Sequence, residues 1–134
     1  MFASRLRWPI CLVSGMLMIA IGCQDPNRPR LFPVSGVVIH NDEPLTSGSL
    51  IFFPDRDAEY PDDAPTSMLQ VDGTFVMKTY PFGNGVAPGK YKVCLNPGLA
   101  AGIKRPEYAD PKKTPWEIEI TDSGNTEIVF ETTK

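Results

Sequence analysis

The chain has 134 residues, enough for one domain, and its 42% hydrophobic and 22% charged content excludes a wholly disordered chain. With 13 basic against 16 acidic residues the net charge is −3, and so little cationic surface argues against a nucleic-acid binder. All but one of the 14 prolines lie beyond Cys23, spread along the chain with 11 glycines, so short apolar runs alternate with turn-forming punctuation. Prolines break helices and lack a donor for a sheet ladder, and this spacing is that of an all-β protein.

Arg5 and Arg7 form a short basic start, and an almost wholly apolar run follows over residues 10–21. The run is too short to span a hydrocarbon core, which needs about 20 residues, and it suits the apolar centre of a signal peptide. It ends in Ala20-Ile21-Gly22-Cys23, and polar Gln24-Asp25-Pro26-Asn27 follows at once. A small residue and then Cys at such a boundary resembles a bacterial lipobox, with Ala20 standing where that pattern usually has Leu. The resemblance implies that residues 1–22 are a lipoprotein signal peptide and that Cys23 is lipidated with diacylglycerol and a further acyl chain such as palmitate. Gln24 after the Cys resembles lipoproteins that leave the inner membrane, which implies a bacterial cell envelope protein at the outer membrane or the periplasmic face. Each buried methylene adds ~0.8 kcal/mol, and two or more chains give stable attachment. Residues 23–32, with Pro26 and Pro29, read as a short, semi-rigid tether.

Seven strands are predicted beyond it. The first covers residues 34–39, where Gly36 marks a bulge or a close backbone approach. Asn41-Asp42-Glu43-Pro44 turns the chain, because Asn and Asp tolerate left-handed backbone and Pro fixes φ. The second strand, residues 49–54, carries large apolar groups on both faces, and residues 55–66 form an acidic, Pro-interrupted loop. The third strand, 67–71, is joined to the fourth, 74–79, by Asp72-Gly73, read as a two-residue type I′ hairpin. After a loop over 81–89, the fifth strand, 90–95, alternates: Tyr91, Val93 and Leu95 face the core, while Lys90, Lys92 and Cys94 face away. Residues 96–115 make a long connection with one helical turn around Glu107-Tyr108-Ala109. The sixth strand, 116–121, is turned back by Asp122-Ser123-Gly124-Asn125 into the seventh, 126–131, in which Ile128 and Phe130 oppose Glu127, Val129 and Glu131. These elements predict an all-β, seven-stranded antiparallel β-sandwich over residues 33–134. The expected core is Val38, Leu50, Phe52, Phe75, Met77, Tyr91, Val93, Leu95, Trp116, Ile118, Ile120, Ile128 and Phe130.

Val34-Ser35-Gly36-Val37-Val38, then Asn41-Asp42-Glu43-Pro44-Leu45, then Gly48-Ser49-Leu50-Ile51-Phe52-Phe53-Pro54 resembles the opening of carboxypeptidase regulatory-like (transthyretin-like) domains. Val71-Asp72-Gly73-Thr74-Phe75 is similar to that family's D-G-x-F hairpin, and Ala87-Pro88-Gly89-Lys90-Tyr91-Lys92-Val93 to its P-G-x-Y-x-V strand. Pro106-Glu107-Tyr108-Ala109-Asp110-Pro111 and the strand from Trp116 resemble small lipoproteins of the planctomycete type. The turn at Asn41-Asp42-Glu43 departs from the family, which usually places Gly there. The resemblance implies an immunoglobulin/transthyretin-like sandwich, and its motifs hold turn-forming and core residues with no reactive group.

Candidate chemistry is sparse. With Cys11 in the signal and Cys23 lipidated, Cys94 is left alone and no disulfide can form within the mature domain. His40 is the single histidine, whereas zinc hydrolysis and Ser-His-Asp chemistry both need His with spaced partners. The zinc motif of metallocarboxypeptidases and the several histidines of the transthyretin-like hydroxyisourate hydrolases are missing. The chain is therefore expected not to be an enzyme and to need no cofactor. Asp55, Asp57, Glu59, Asp62 and Asp63 are weak candidates for Ca²⁺, interrupted by Arg56 and two prolines and lacking EF-hand spacing. Tyr60, Tyr80, Phe82 and Tyr108 are candidate ligand contacts for a glycan or peptide. The expected function is a non-enzymatic, lipid-anchored contact module, with an envelope protein or surface glycan as partner. The alternative is a Ca-dependent or carbohydrate-binding module.

Overall fold

The computed structural model describes residues 28–132. The signal segment, Cys23 and the first part of the tether lie outside the described residues. The strand segments are β1 (Val34–His40), β2 (Glu43–Pro44), β3 (Ser49–Pro54), β4 (Thr66–Met68), β5 (Thr74–Val76), β6 (Lys78–Thr79), β7 (Gly83–Asn84), β8 (Gly89–Leu95), β9 (Glu117–Ile120) and β10 (Asn125–Glu131). A short helix α1 (Pro97–Gly102) and a 3₁₀ turn (Pro106–Ala109) lie between β8 and β9. The strands form two packed sheets, so the chain is an all-β sandwich. One sheet runs β10-β1-β2, with β5 also on β1, and the other runs β7-β6-β4-β3-β8-β9. The pairings are antiparallel except for β1 with β10, which run parallel.

Two predicted hairpins prove to be crossings between the sheets. Asp72-Gly73 does not make a type I′ turn, because only Gly73 of the pair has positive φ (82°). Gln70 and Thr74 close a three-residue loop through the Gln70 N–H on the Thr74 carbonyl (2.8 Å) and the Gly73 N–H on the Gln70 carbonyl (2.9 Å). Beyond it the two arms separate: β4 pairs with β3, and β5 pairs with β1 in the other sheet. The Ser67 hydroxyl accepts the Val76 N–H (3.0 Å), which satisfies a donor where the ladder splits. The predicted fourth strand accordingly breaks at buried Met77, whose N–H reaches the Val34 carbonyl, and β6 returns to β4. In the same way the 121–125 turn carries the chain from β9 in one sheet to β10 in the other.

The type I′-like geometry sits at the earlier turn, where Asn41 and Asp42 have φ of 49° and 65°. Asx side chains carry the left-handed backbone that Gly would otherwise supply. Gly36 is the close approach expected of it: the β1–β10 register shifts there, and a Cβ would collide with the Ile128 carbonyl oxygen.

The core is aromatic and centred on Phe130. Its ring lies 6.1 Å from Phe52, 5.9 Å from Phe75 and 5.2 Å from Trp116, and Trp116 lies 4.5 Å from Tyr108. Burying a Phe side chain contributes about 1.5–3 kcal/mol, and each well-oriented ring pair adds ~0.5–1.5. Apart from Ile118, which is half-buried against the cluster, the expected core residues are buried. Val34, Leu69, Val86, Ala100 and Tyr108 join them. Buried Tyr91 stays satisfied by donating its hydroxyl to the Ala87 carbonyl at 2.6 Å, and burial pushes its pKa up to about 12.

Candidate contact surface

The two ends of the sandwich are chemically distinct. At the end where the chain enters, Arg30 pairs with Glu59 (2.8 Å) and reaches toward Asp122 (3.6 Å). Arg28 donates to the Phe82 carbonyl at 3.5 Å, and Phe32 forms a bridge with Val86. The last described part of the tether is thus held against loops 55–66 and 81–88. At the far end lie the Asn41–Asp42 turn, the 70–74 loop and α1. The α1 helix starts at Pro97, where a missing N–H costs nothing, and the Asn96 side chain ties it to β3 by accepting the Ser49 N–H (2.8 Å).

The acidic candidates are dispersed in their contacts. Glu59 is held by Arg30, Asp63 accepts the Tyr60 hydroxyl (3.0 Å), and Asp55 accepts the Arg56 N–H (2.7 Å). Among the described residues no three His, Cys, Asp or Glu side chains gather in a way that could hold a metal ion. Asp57 and Glu59 border an open, acidic groove with Glu119 and Asp122, where Arg30 reaches both Glu59 and Asp122 and Lys90 lies across from Glu119.

The aromatic candidates separate. Tyr60 and Phe82 meet edge to face at 5.8 Å between the two loops, each half-buried. Tyr80 stands 73% exposed beside a cleft of about 210 Å³ with Lys78 and Asn84. Tyr108 is fully buried against Trp116 and is a core residue, so it takes no part in a surface. Its place at the centre of the 3₁₀ turn makes the long connection a packed lid on the sandwich.

That lid also corrects the reading of Cys94. Strand alternation alone puts Cys94 on the outer face with Lys90 and Lys92, but the side chain is buried. The connection folds back over this end of β8, with the Thr114 hydroxyl donating to the Val93 carbonyl at 2.7 Å. Burial, with a smaller contribution from the nearby Asp110 carboxylate, pushes the thiol up to about 11, far from the low values of reactive cysteines. His40 is likewise bound in place: its Nδ1 lies 2.8 Å from Thr132 Oγ1, and its Nε2 lies 3.2 Å from the Asn41 amide.

The exposed surface the sequence reading passed over is the outer face of the β10-β1-β5 sheet. Val129 is 61% exposed and Val76 43%, and half-buried Val37 lies between them, paired with Val129 on one side and Thr74 on the other. The signal was present in the alternation of β10, which sets Val129 between Glu127 and Glu131 on the outward face. No family model, curated protein or solved structure matches the chain.

Proposed function

We propose that the chain is a non-enzymatic contact module of a bacterial cell envelope, lipid-anchored through Cys23, with a carboxypeptidase regulatory-like sandwich carrying the contact surface. The observation that carries the reading is the division of labour among side chains. The groups with chemical potential are tied into the fold: Cys94 is buried, His40 is held by Thr132 and Asn41, and Glu59 is held by Arg30. Several large apolar side chains suited to contact are left to solvent among the charged ones, including Met68 (64%), Val71 (91%), Tyr80 and Val129. Such groups gain free energy when a partner removes them from water, at about 25 cal/mol per Å².

The lipobox-like Ala20-Ile21-Gly22-Cys23 supports the anchor, and the described tether supports an orientation. Arg28 is five residues from Cys23, at most about 18 Å of extended chain. An anchor there directs loops 55–66 and 81–88 toward the membrane and the 41–44 turn, the 70–74 loop and α1 away from it. β10 then starts at the membrane-facing end, where Asn125 bonds the Pro33 carbonyl, and runs away from the bilayer toward Glu131. The test is cross-linking of the mature lipoprotein in its native envelope, followed by identification of the linked species. Reproducible linkage to one envelope protein or glycan is expected. Recovery of the chain alone, by cross-linkers that capture other envelope neighbours, would sink the reading.

A further inference from the structure

We infer that the free edge of β10 takes up a basic, extended peptide segment as an added antiparallel strand, in the pattern basic–x–aliphatic–x–basic. This rests on the contact-module reading and names the partner's chemistry and its place.

The backbone sets the register. Thr132 donates its N–H to the Ile39 carbonyl in β1, and the Ser35 hydroxyl bonds the Thr126 carbonyl. The β1–β10 register shift falls ahead of Ile128, and from there alternation turns the backbone groups of residues 128, 130 and 132 toward β1 and those of Val129 and Glu131 toward the open side, with Glu127 next to Ile128 on the exposed face. Both ends of that open side are closed by side chains of the protein itself. Asn125 Oδ1 accepts the Glu127 N–H at 3.2 Å, and Trp116 Nε1 donates to the Glu131 carbonyl at 3.1 Å. Between them, among the described residues, no strand pairs with β10 on the side that takes the Val129 N–H and carbonyl, and the Val129 side chain is 61% exposed. A strand added here forms its central hydrogen-bonded pair on Val129, and its alternate residues then lie beside Glu127 and Glu131 on the outer face.

Charge selects the occupant. On the other sheet each outward acid has a lysine across from it: Glu119 opposes Lys90, and Glu117 opposes Lys92 with Nζ–Oε2 at 2.6 Å. In the β10 sheet no strand contains Lys or Arg, and Glu131 opposes Ile39. Among the described residues neither Glu127 nor Glu131 has an ion-pair partner. Two acids flanking an exposed valine on an unpaired edge complement a segment with cations at both flanks and an aliphatic residue between. A second copy is disfavoured, because antiparallel self-pairing about Val129 sets Glu127 against Glu131 twice, and directly opposed like charges repel. The same acids keep the edge from self-aggregation when no partner is present.

The probe is an acetylated, amidated peptide of sequence Thr-Lys-Thr-Ile-Thr-Lys-Thr, with a Glu-for-Lys version as control. It is titrated into the mature chain while backbone amides are followed by NMR. The expected result is slowed exchange and a shifted resonance at the Val129 amide with the Lys peptide and none with the Glu peptide. Val129→Pro removes the free donor on an edge where proline is tolerated, and the Lys peptide should then no longer shift or protect the neighbouring Glu131 amide, which responds to it in the unsubstituted chain. Should the proline variant not fold, the double variant Glu127→Lys, Glu131→Lys keeps the backbone and lowers affinity for the Lys peptide by about tenfold, reversing the preference. No binding at millimolar peptide, equal binding of both peptides, or binding with the Val129 amide unprotected would overturn the inference. The envelope cross-linking repeated with the charge-reversed variant separates the two claims: an unchanged partner leaves the contact module standing and removes only the edge.

Discussion

The Trp116 indole N–H is bonded to the Glu131 carbonyl at 3.1 Å, joining the residue ahead of β9 in one sheet to the last residue of β10 in the other. The same ring lies 5.2 Å from Phe130 and 4.5 Å from Tyr108, so one side chain closes both the sandwich seam and the underside of the long connection. Trp116→Phe keeps most of the apolar area and loses the donor, and it should destabilise by ~1 kcal/mol in urea denaturation. Trp116→Ala leaves a cavity as well and should cost about 3–5 kcal/mol.

Gly36→Ala forces a methyl group against the Ile128 backbone, with no flexible side chain to yield. The expected loss is roughly 1–3 kcal/mol, read from the denaturation midpoint. Gly102 is the control: nothing lies within 4 Å of an added Cβ, and its φ is not in the left-handed region. Gly102→Ala should stabilise by about 0.5 kcal/mol through reduced unfolded-state entropy.

The buried thiol gives a stability limit on the alkaline side. Cys94 ionises near pH ~8.5 when unfolded but only at about 11 when folded, so its contribution is complete below the first value. As pH rises between the two, the unfolded chain releases a proton the native chain keeps, and stability falls by on the order of 3 kcal/mol. Tyr91 continues the fall toward about 12. Denaturation curves from pH 8 to 11 should show this slope, and Cys94→Ala should flatten its first part. Rapid alkylation of the native thiol at pH 8 would contradict the burial.

Much of this architecture is legible in the sequence, and the misses have a common cause. Alternation reports which face of a strand a side chain occupies, and it placed Phe75, Tyr91, Val93, Ile128 and Phe130 in the core. It does not report which strand lies alongside. Asp72-Gly73 and Asp122-Ser123-Gly124-Asn125 look like hairpin turns whether the chain returns beside itself or crosses to the opposite sheet, because the local turn chemistry is the same. The parallel β1–β10 pair was hidden for that reason, and with it the free edge at Val129. Cys94 and Tyr108 were misplaced because what buries them is a connection with Pro97, Pro106, Pro111 and Pro115, whose packing no period reveals. Among the aromatic candidates only Tyr60 and Phe82 come together, a pairing set by two loops distant in sequence.

Calcium provides a separate check on the acidic loop. Because Glu59, Asp63 and Asp55 already bind Arg30, Tyr60 and the Arg56 amide, millimolar Ca²⁺ should leave Tm unchanged in a thermal-shift titration. A rise of several degrees that chelator reverses would replace the contact reading with the calcium-dependent one.

The most direct measurement concerns the amino terminus, since the proposed contact module depends on an anchor at Cys23. Mass spectrometry of the amino-terminal peptide from the envelope fraction should find a chain beginning at Cys23 and carrying diacylglycerol with a further acyl chain. A peptide containing unmodified Cys23, or one beginning elsewhere, would contradict the account.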